Sequence, residues 1–216
     1  MMAEGRNDTL AQEFARLGTA TVYEAAGRKG MIDGDWIQVL PGTRAAGRAF
    51  TVLCADGDNR GIHEAIAKLS PGDVLVASSP HPEPFGLVGE LLATQAKRAG
   101  AAALVIDGGV RDTEDLNVLG LPVWSRWIRI RGAGKDARGT VGETLSVGGQ
   151  TVAAGDYVVA DADGVVVVPR GRAEVVLEAS LAREQKERGL RQRWESGEFS
   201  YDAYGFRAED EGTPAA

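Results

Sequence analysis

Apolar and polar residues alternate along the chain with the spacings of both strands and helices. Apolar runs typical of covered strands occur at VLVAS, AALVI and DADGVVVVP, while TLAQEFARL and the stretch that follows Gly89 have the wider spacing of amphipathic helices. Further strands are predicted at residues 36–40, 47–55 and 121–127, and short hairpins are predicted between residues 131 and 155. This mixture is typical of an α/β fold.

Cap residues predict where two of the early helices begin. Thr21 and Glu24 have the spacing of a capping box, so Thr21 is expected to cap the second helix, and Glu24 is interpreted as the N3 residue of that cap in preference to a site residue. The loop DGDNRG contains several side-chain oxygens, but it lacks the longer ligand series and distal glutamate of an EF-hand. Asp58 or Asn59 is therefore interpreted as a helix cap or a turn residue.

The stretch from Gly86 to Asp115 carries the strongest functional signal. A helix preceded by Gly86 and Gly89 leaves its first N–H groups, at about Glu90 to Leu92, without helical partners, and such groups form a ready anion site. The strand AALVI follows, and Gly108 and Gly109 are expected to turn the backbone and aim Arg111 from the strand's end, where α/β sheets usually bind ligands. A guanidinium facing backbone amides predicts a site for a small oxo acid.

Asp112 has two interpretations at this stage. Together with Glu114 and Asp115 it supplies carboxylate oxygens without histidine or cysteine, a set that suits Mg²⁺ or Mn²⁺. Alternatively, Asp112 caps the short helix DTEDLNVLG, and Arg111 pairs with a local carboxylate. Spacing alone does not separate these two interpretations.

The carboxyl-terminal part of the chain changes character along its length. Residues 171–197 have a helical pattern that begins apolar and becomes almost wholly polar. Aromatic residues lie within this segment and beyond it, and their apolar surface predicts that residues 171–216 form a helix and arm that packs on a neighbouring subunit, after a single domain at residues 1–170. The final EDEGTPAA is predicted to be disordered. The aromatic residues are Trp194, Phe199, Tyr201, Tyr204 and Phe206.

Composition excludes several other classes of protein. A net charge of -7 and a pI of about 5.0 argue against a nucleic-acid partner. No apolar run approaches a membrane span, and the polar amino terminus lacks a signal-peptide core, so we expect a cytoplasmic protein with no membrane partner. Cys54, the single cysteine, is expected to be buried, and His63 and His81 match no zinc pattern. Neither GxGxxG, a Walker loop nor GxSxG is present.

Four segments carry a resemblance to a known family. The most specific is GELLATQAKRAGAAALVIDGGVRD, followed by Asp115; the others are TATVYEAAG, SPGDVLVA and GDYVVADADGVVVVP. Together they resemble the family that contains the regulators of ribonuclease activity and the metal-dependent 4-hydroxy-4-methyl-2-oxoglutarate / 4-carboxy-4-hydroxy-2-oxoadipate aldolases. The resemblance implies an α/β/β sandwich of the swivelling-domain type, assembled as trimers or hexamers with sites at subunit boundaries.

The resemblance also implies roles for particular residues. Arg111 would hold the pyruvyl group, Asp112 would ligate the metal ion, and the amides of Leu91 and Leu92, after Gly89, would bind the substrate carboxylate. Glu90, where some aldolases carry aspartate, would order water on the metal. Glu187 or Glu184 of the adjacent protomer would complete the site.

The extended carboxyl-terminal segment resembles the aldolase branch, because the regulators end soon after the late strand and its helix. The expected function is therefore a Mg²⁺- or Mn²⁺-dependent aldolase that releases pyruvate from 4-hydroxy-2-oxo acids and decarboxylates oxaloacetate. The alternative is a regulator that binds and inhibits a ribonuclease without catalysis.

Overall fold

The computed structural model describes residues 8–210, which form eight helices and eleven strands. The helices are α1 (Thr9–Leu17), α2 (Thr19–Ala25), α3 (Arg60–Ile66), α4 (Glu90–Arg98), α5 (Thr113–Leu119), α6 (Ala173–Glu195), α7 (Ser200–Ala203) and α8 (Phe206–Asp210). The strands are β1 (Ile37–Gln38), β2 (Ala45–Leu53), β3 (Asp73–Ser78), β4 (Gly86–Val88), β5 (Ala103–Val110), β6 (Val123–Ile128), β7 (Thr140–Val141), β8 (Leu145–Val147), β9 (Gln150–Val152), β10 (Tyr157–Asp161) and β11 (Gly164–Val168).

Nine of these strands form one mixed sheet in the order β1-β6-β5-β3-β2-β10-β11, with β4 paired to β5 and β7 paired to β2. Strands β2, β3, β5 and β6 run parallel, whereas β10 and β11 are antiparallel additions at one side. Strands β8 and β9 form a separate hairpin. The parallel strands place the carboxyl ends of β4 and β5 at the same edge, which is where the candidate site lies.

Three apolar clusters hold the layers together. One lies between the parallel strands and α3, α4 and α5, and a second joins these strands to the β8–β9 hairpin and to β10 and β11. A third packs α1, α2 and α6 against β10 and β11. Trp124, only 1% exposed, lies in the second cluster and donates its indole N–H to the Asp161 carbonyl. The expected α/β/β sandwich of the swivelling-domain type is confirmed.

The second helix begins earlier than the capping-box pattern predicts. Helix α2 starts at Thr19 and its N-cap is Gly18, whose φ of 82° suits glycine. The Thr19 hydroxyl and N–H donate to the two carboxylate oxygens of Asp161, at 2.6 and 2.8 Å. Glu24 pairs with Arg28 instead of capping the helix. A buried tertiary contact has therefore overridden the local signal.

Replacing Asp161 with asparagine is expected to lower the free energy of unfolding by about 1–3 kcal/mol. The carboxylate is 6% exposed and accepts from Thr19 and from the Asp163 N–H, and an amide nitrogen in place of one oxygen would face a donor. Urea denaturation monitored by tryptophan fluorescence measures the change. Asp163→Asn, at an exposed position in the adjoining turn, is the control and should unfold within about 0.5 kcal/mol of wild type.

The predicted burial of Cys54 is confirmed, because the residue is 2% exposed. Burial raises the pKa of its thiol to about 12, so the thiol stays protonated and unreactive at neutral pH. We expect an aromatic disulfide reagent at pH 8 to label the folded protein at least 100-fold more slowly than the protein in urea. Fast labelling without denaturant would contradict the packing around this residue.

The sign of the pH dependence follows from the same shift. The raised pKa contributes to the stability of the folded state. This contribution is fully present below pH 9.0, the ordinary pKa of the thiol, and is lost as the pH rises from there towards about 12.

The carboxyl-terminal arm leaves the sheet along α6, whose later turns are mostly exposed. Its aromatic residues keep large exposed fractions, such as 68% for Phe199 and 55% for Tyr204. Packing of this arm on a neighbouring subunit stays a prediction, as does the division at residue 170. Of the predicted disordered tail, residues 211–216 lie outside the described residues. Across residues 8–210, no helix is long and apolar enough to cross a membrane.

Candidate active site

A cavity of about 210 Å³ lies where β4 and β5 end, beside the first turn of α4. Its walls come from four parts of the chain: the start of α3, the β4–α4 junction, the residues after β5 and the loop before β7. The lining residues include Asn59, His63, Gly89, Leu91, Leu92, Arg111, Asp112 and Lys135. Most of the residues predicted from the Gly86–Asp115 stretch are therefore brought together here.

Arg111 and Asp112 follow β5 directly. The Arg111 N–H donates to the Val88 carbonyl at 3.0 Å, which ties the end of β5 to β4. Asp112 then adopts a left-handed conformation, with φ 56° and ψ 44°. This conformation costs a residue with a side chain on the order of 1–2 kcal/mol, and such strain is common where a functional side chain must point in a set direction.

The two sequence interpretations of Asp112 can now be compared. Asp112 occupies the N-cap position of α5, but its side chain makes no capping hydrogen bond. Instead, its Oδ2 accepts from the Glu90 N–H at 3.2 Å and lies 3.7 Å from the Arg111 Nε. The carboxylate therefore faces the first turn of α4. Glu114 and Asp115 lie in the first turn of α5 and do not line the cavity, so the three-carboxylate set is wrong.

Gly89 is present because the site has no room for a side chain. Its φ of -127° suits any residue, but a Cβ atom there would lie 2.3 Å from Asp112 Oδ2 and 3.2 Å from Arg111 Nε. The backbone of the β4–α4 junction can thus approach both functional side chains.

The first turn of α4 presents its amides at this point. Glu90, Leu91 and Leu92 are the first three residues of the helix, so their N–H groups have no carbonyl partner within it. The Glu90 N–H is used by Asp112. Leu91 and Leu92 both line the cavity, and the positive end of the helix dipole favours an anion there.

Gly108 and Gly109 do not turn the chain, as the sequence suggested. Both lie within β5, which continues to Val110. A Cβ at Gly109 would lie 2.5 Å from the Phe85 carbonyl oxygen, and one at Gly108 would lie 2.6 Å from Leu87 Cδ1. The glycines therefore allow the segment around β4 to pack closely on β5. On the other side, the pairing of β5 with β6 shifts register between Ile106 and Gly109.

Residues 19–167 match the model of a protein family described as RraA-like, Aldolase/RraA. The chain belongs to this family. The resemblance seen in the sequence is thereby confirmed.

Known proteins similar to this RraA-like chain include both aldolase and inhibitor names. A relative from Halalkalibacterium halodurans, named "Putative 4-hydroxy-4-methyl-2-oxoglutarate aldolase", is 34% identical over 135 residues, covering 62% of this chain and 64% of that relative. The match therefore spans slightly less than two thirds of that protein.

Two solved structures match this chain over nearly their whole length. Streptomyces coelicolor RraAS2, described as an unusual member of the RNase ES inhibitor RraA protein family, has a TM-score of 0.77 and 27% identity, covering 88% of this chain and 99% of that one. An uncharacterized protein from Pseudomonas syringae pv. tomato str. DC3000 has a TM-score of 0.80 and 28% identity, covering 93% and 99%.

The acidic residues assigned to an adjacent protomer lie away from the cavity of their own chain. Both are on α6 in this RraA-like protein, where Glu184 accepts two hydrogen bonds from Arg16, at 2.5 and 3.1 Å. Glu187 pairs with Arg183 at 2.7 Å. Glu187 has the smaller set of partners, but its contribution to a neighbouring site stays a prediction.

Glu90 contacts the site through its backbone and not through its side chain. Only its backbone reaches Asp112, and its Oε1 accepts from the Thr94 hydroxyl at 2.7 Å. Its side chain is held beside the cavity, and Glu90 is not one of the lining residues. A water-ordering role for Glu90 remains a prediction.

The donor set fits a hard divalent cation held by few protein ligands. Within residues 8–210, no group of three or more His, Cys, Asp or Glu side chains is arranged to hold a metal ion. Asp112 as a direct metal ligand from this chain stays a prediction. Mg²⁺ commonly binds through one or two carboxylates and keeps several waters, and the Asp112 side chain is 41% exposed and accessible for this.

Three lining residues were not recognised as site residues from the sequence. Asn59 was interpreted as a cap or turn residue, and it is indeed the N-cap of α3. His63 was considered only for zinc, and Lys135 lies in a glycine-rich segment. No local pattern links them to Arg111, because the contact between the α3 start and the β4–α4 junction exists only in the folded chain.

Proposed function

We propose that this RraA-like protein is a divalent-metal-dependent carbon–carbon lyase that cleaves 4-hydroxy-4-methyl-2-oxoglutarate or related 4-hydroxy-2-oxo acids to pyruvate. Oxaloacetate decarboxylation through the same enolate is part of the proposal. The observation that carries it is the convergence of Arg111, Asp112 and the first turn of α4 on one cavity. The aldolase name of the Halalkalibacterium halodurans relative supports the same activity.

This arrangement supports binding of a 2-oxo acid. The N–H groups of Leu91 and Leu92 receive the substrate carboxylate, and Arg111 donates to the keto end of the molecule. The Asp112 carboxylate is held beside the same cavity by the hydrogen bond that it accepts from the Glu90 N–H. The two backbone N–H groups and the Arg111 guanidinium would together orient the substrate before any bond breaks.

Cleavage breaks the bond between C3 and C4 of the substrate. The 4-hydroxyl proton is lost to water, the C4 oxygen becomes a carbonyl, and the electron pair of the broken bond forms the enolate of pyruvate. Asp112 would hold Mg²⁺ or Mn²⁺, which would supply Lewis-acid stabilisation of this charge. Arg111 contributes a fixed positive charge at the enolate oxygen, and protonation at C3 releases pyruvate.

The second candidate is a regulator that binds and inhibits a ribonuclease. The similarity to Streptomyces coelicolor RraAS2, a member of an RNase ES inhibitor family, favours this candidate. It requires neither a metal ion nor Asp112. The proposed oligomer, a trimer or hexamer with sites at subunit boundaries, is compatible with both candidates.

A coupled pyruvate assay separates the two functions. We expect purified protein with Mg²⁺ or Mn²⁺ to release pyruvate from 4-hydroxy-4-methyl-2-oxoglutarate and from oxaloacetate, and a chelator to abolish both activities until metal is restored. Asp112→Asn should lower kcat/KM at least 100-fold and weaken binding of Mn²⁺ measured by its paramagnetic signal. Asp35→Asn, at an exposed position outside the cavity, is the control.

Absence of pyruvate above the rate without enzyme, with either metal, would reject the lyase. Inhibition of a purified ribonuclease that persists in Asp112→Asn and in chelator would then support the regulator.

A further inference from the structure

Asn59 lies in the wall of the cavity and has a side-chain oxygen without a donor. The residue is 6% exposed, and its Oδ1 is buried and accepts no hydrogen bond from any residue between 8 and 210. Its amide nitrogen, in contrast, donates to the Leu87 carbonyl at 2.7 Å. A buried acceptor left without a donor costs about 1–3 kcal/mol, so a donor at this place would be favourable.

The orientation of this amide is fixed by its surroundings. The Leu87 carbonyl can only accept, so the NH₂ group must face Leu87 and the oxygen must face the other way. The backbone is fixed too, because the Asn59 N–H donates to the Gly134 carbonyl at 3.0 Å, and the Asn59 carbonyl accepts from Ile62 and His63. The direction of the unpaired oxygen is therefore fixed by these hydrogen bonds.

The acceptor is also connected to the reacting end of the cavity. Leu87 precedes Val88, whose carbonyl accepts the Arg111 N–H at 3.0 Å. Asn59 and Arg111 are thus held by adjacent residues of β4, and both line the same cavity of about 210 Å³. A small substrate held by Arg111 at one end would share this cavity with Asn59.

An acceptor in this position selects for a ligand that carries a donor. A carboxylate or a keto oxygen gains nothing from Asn59 Oδ1, whereas a hydroxyl group does. We propose that Asn59 accepts a hydrogen bond from the 4-hydroxyl group of the substrate and determines the preference for 4-hydroxy-2-oxo acids over oxaloacetate, whose keto form has no hydroxyl. This inference rests on the lyase function proposed above.

The role is one of orientation and not of proton removal. An amide oxygen is too weak a base to take the hydroxyl proton, so Asn59 sets the direction of the O–H bond while the proton leaves to water. A site that pairs a substrate hydroxyl rejects an analogue without one, because its own polar group is then left unpaired. The two substrates should therefore respond differently to loss of Asn59.

The test compares the two substrates in the same variants. In Asn59→Ala, kcat/KM for 4-hydroxy-4-methyl-2-oxoglutarate should fall about 10- to 100-fold more than kcat/KM for oxaloacetate. Asn59→Asp keeps an oxygen acceptor and should retain more of the wild-type ratio than Asn59→Ala does. Asn117→Ala, an exposed asparagine on α5, is the matched control and should leave both activities unchanged.

A structural role for Asn59 gives a different result. Loss of the contact with Leu87 would disturb Arg111 for both substrates alike, so an equal fall of the two activities, or an unchanged ratio, would overturn the proposal. If Asn59→Ala does not fold, Asn59→Ser, which keeps a favoured N-cap residue, is measured by the same ratio.

Pyruvate release by the wild-type protein shows whether the role of Asn59 or the lyase function itself has failed. If wild-type protein releases pyruvate from both substrates and the ratio does not change in the variants, only the assignment of Asn59 is lost. If wild-type protein releases pyruvate from neither, the lyase function is lost together with it.

Discussion

Replacing Arg111 with lysine is expected to lower kcat/KM for pyruvate formation by about 10²- to 10³-fold, the usual effect of removing one fixed donor to a developing oxyanion. Lysine keeps the charge but loses the planar guanidinium, whose Nε lies 3.7 Å from Asp112 Oδ2. Both the aldol cleavage and the decarboxylation should fall, because they share the enolate. Steady-state kinetics with both substrates measure the effect.

The matched control for Arg111→Lys is Arg98→Lys. Arg98 is the last residue of α4, exposed and away from the cavity, so its replacement tests for a general effect of exchanging an arginine. A fall in kcat with Arg111→Lys at an unchanged KM would place the loss in the transition state. Retention of full turnover by this variant would remove Arg111 from the chemistry.

Replacing Gly89 with alanine should abolish most of the activity without unfolding the protein. The added methyl group would lie 2.3 Å from Asp112 Oδ2 and 3.2 Å from Arg111 Nε, so both side chains must move. A displacement on the order of 1 Å in a catalytic group can cost about 10²-fold in rate. We expect a loss of about that size or more, with a thermal midpoint within a few degrees of wild type.

Gly171→Ala is the control for this substitution. A Cβ at Gly171 meets no atom within 4 Å, and the residue has no positive φ, so activity and stability should stay unchanged. A Gly89→Ala variant with wild-type kcat/KM would show that the position of the Asp112 carboxylate is not important for turnover.

Much of the fold could be read from the sequence because its elements are locally consistent. The run VLVAS lies in β3, all but the first residue of AALVI lies in β5, and the GG pair in LSVGGQTV forms the turn of the β8–β9 hairpin. Apolar runs of this kind have few alternatives to a covered strand. The boundaries were less well predicted, since the strand expected at residues 36–40 reduces to Ile37–Gln38.

The errors share a physical cause. Thr21 was expected to cap a helix that in fact begins at Thr19, because Thr19 is drawn into a buried hydrogen bond with Asp161, far away in the sequence. Gly108 and Gly109 were expected to turn the chain, but they allow close packing of β4 on β5. Such contacts join distant segments, and local patterns carry no information about them.

The sequence by itself determined the family, the order of most strands and helices, and the place of Arg111 and Asp112 after a buried strand. These features depend on the apolar periodicity and on residues that are neighbours in the chain. Only the tertiary structure decided that the Asp112 carboxylate binds the Glu90 amide instead of capping α5, and that Asn59 enters the same wall. Both depend on the packing of β4 between the start of α3 and the end of β5, which is a three-dimensional contact.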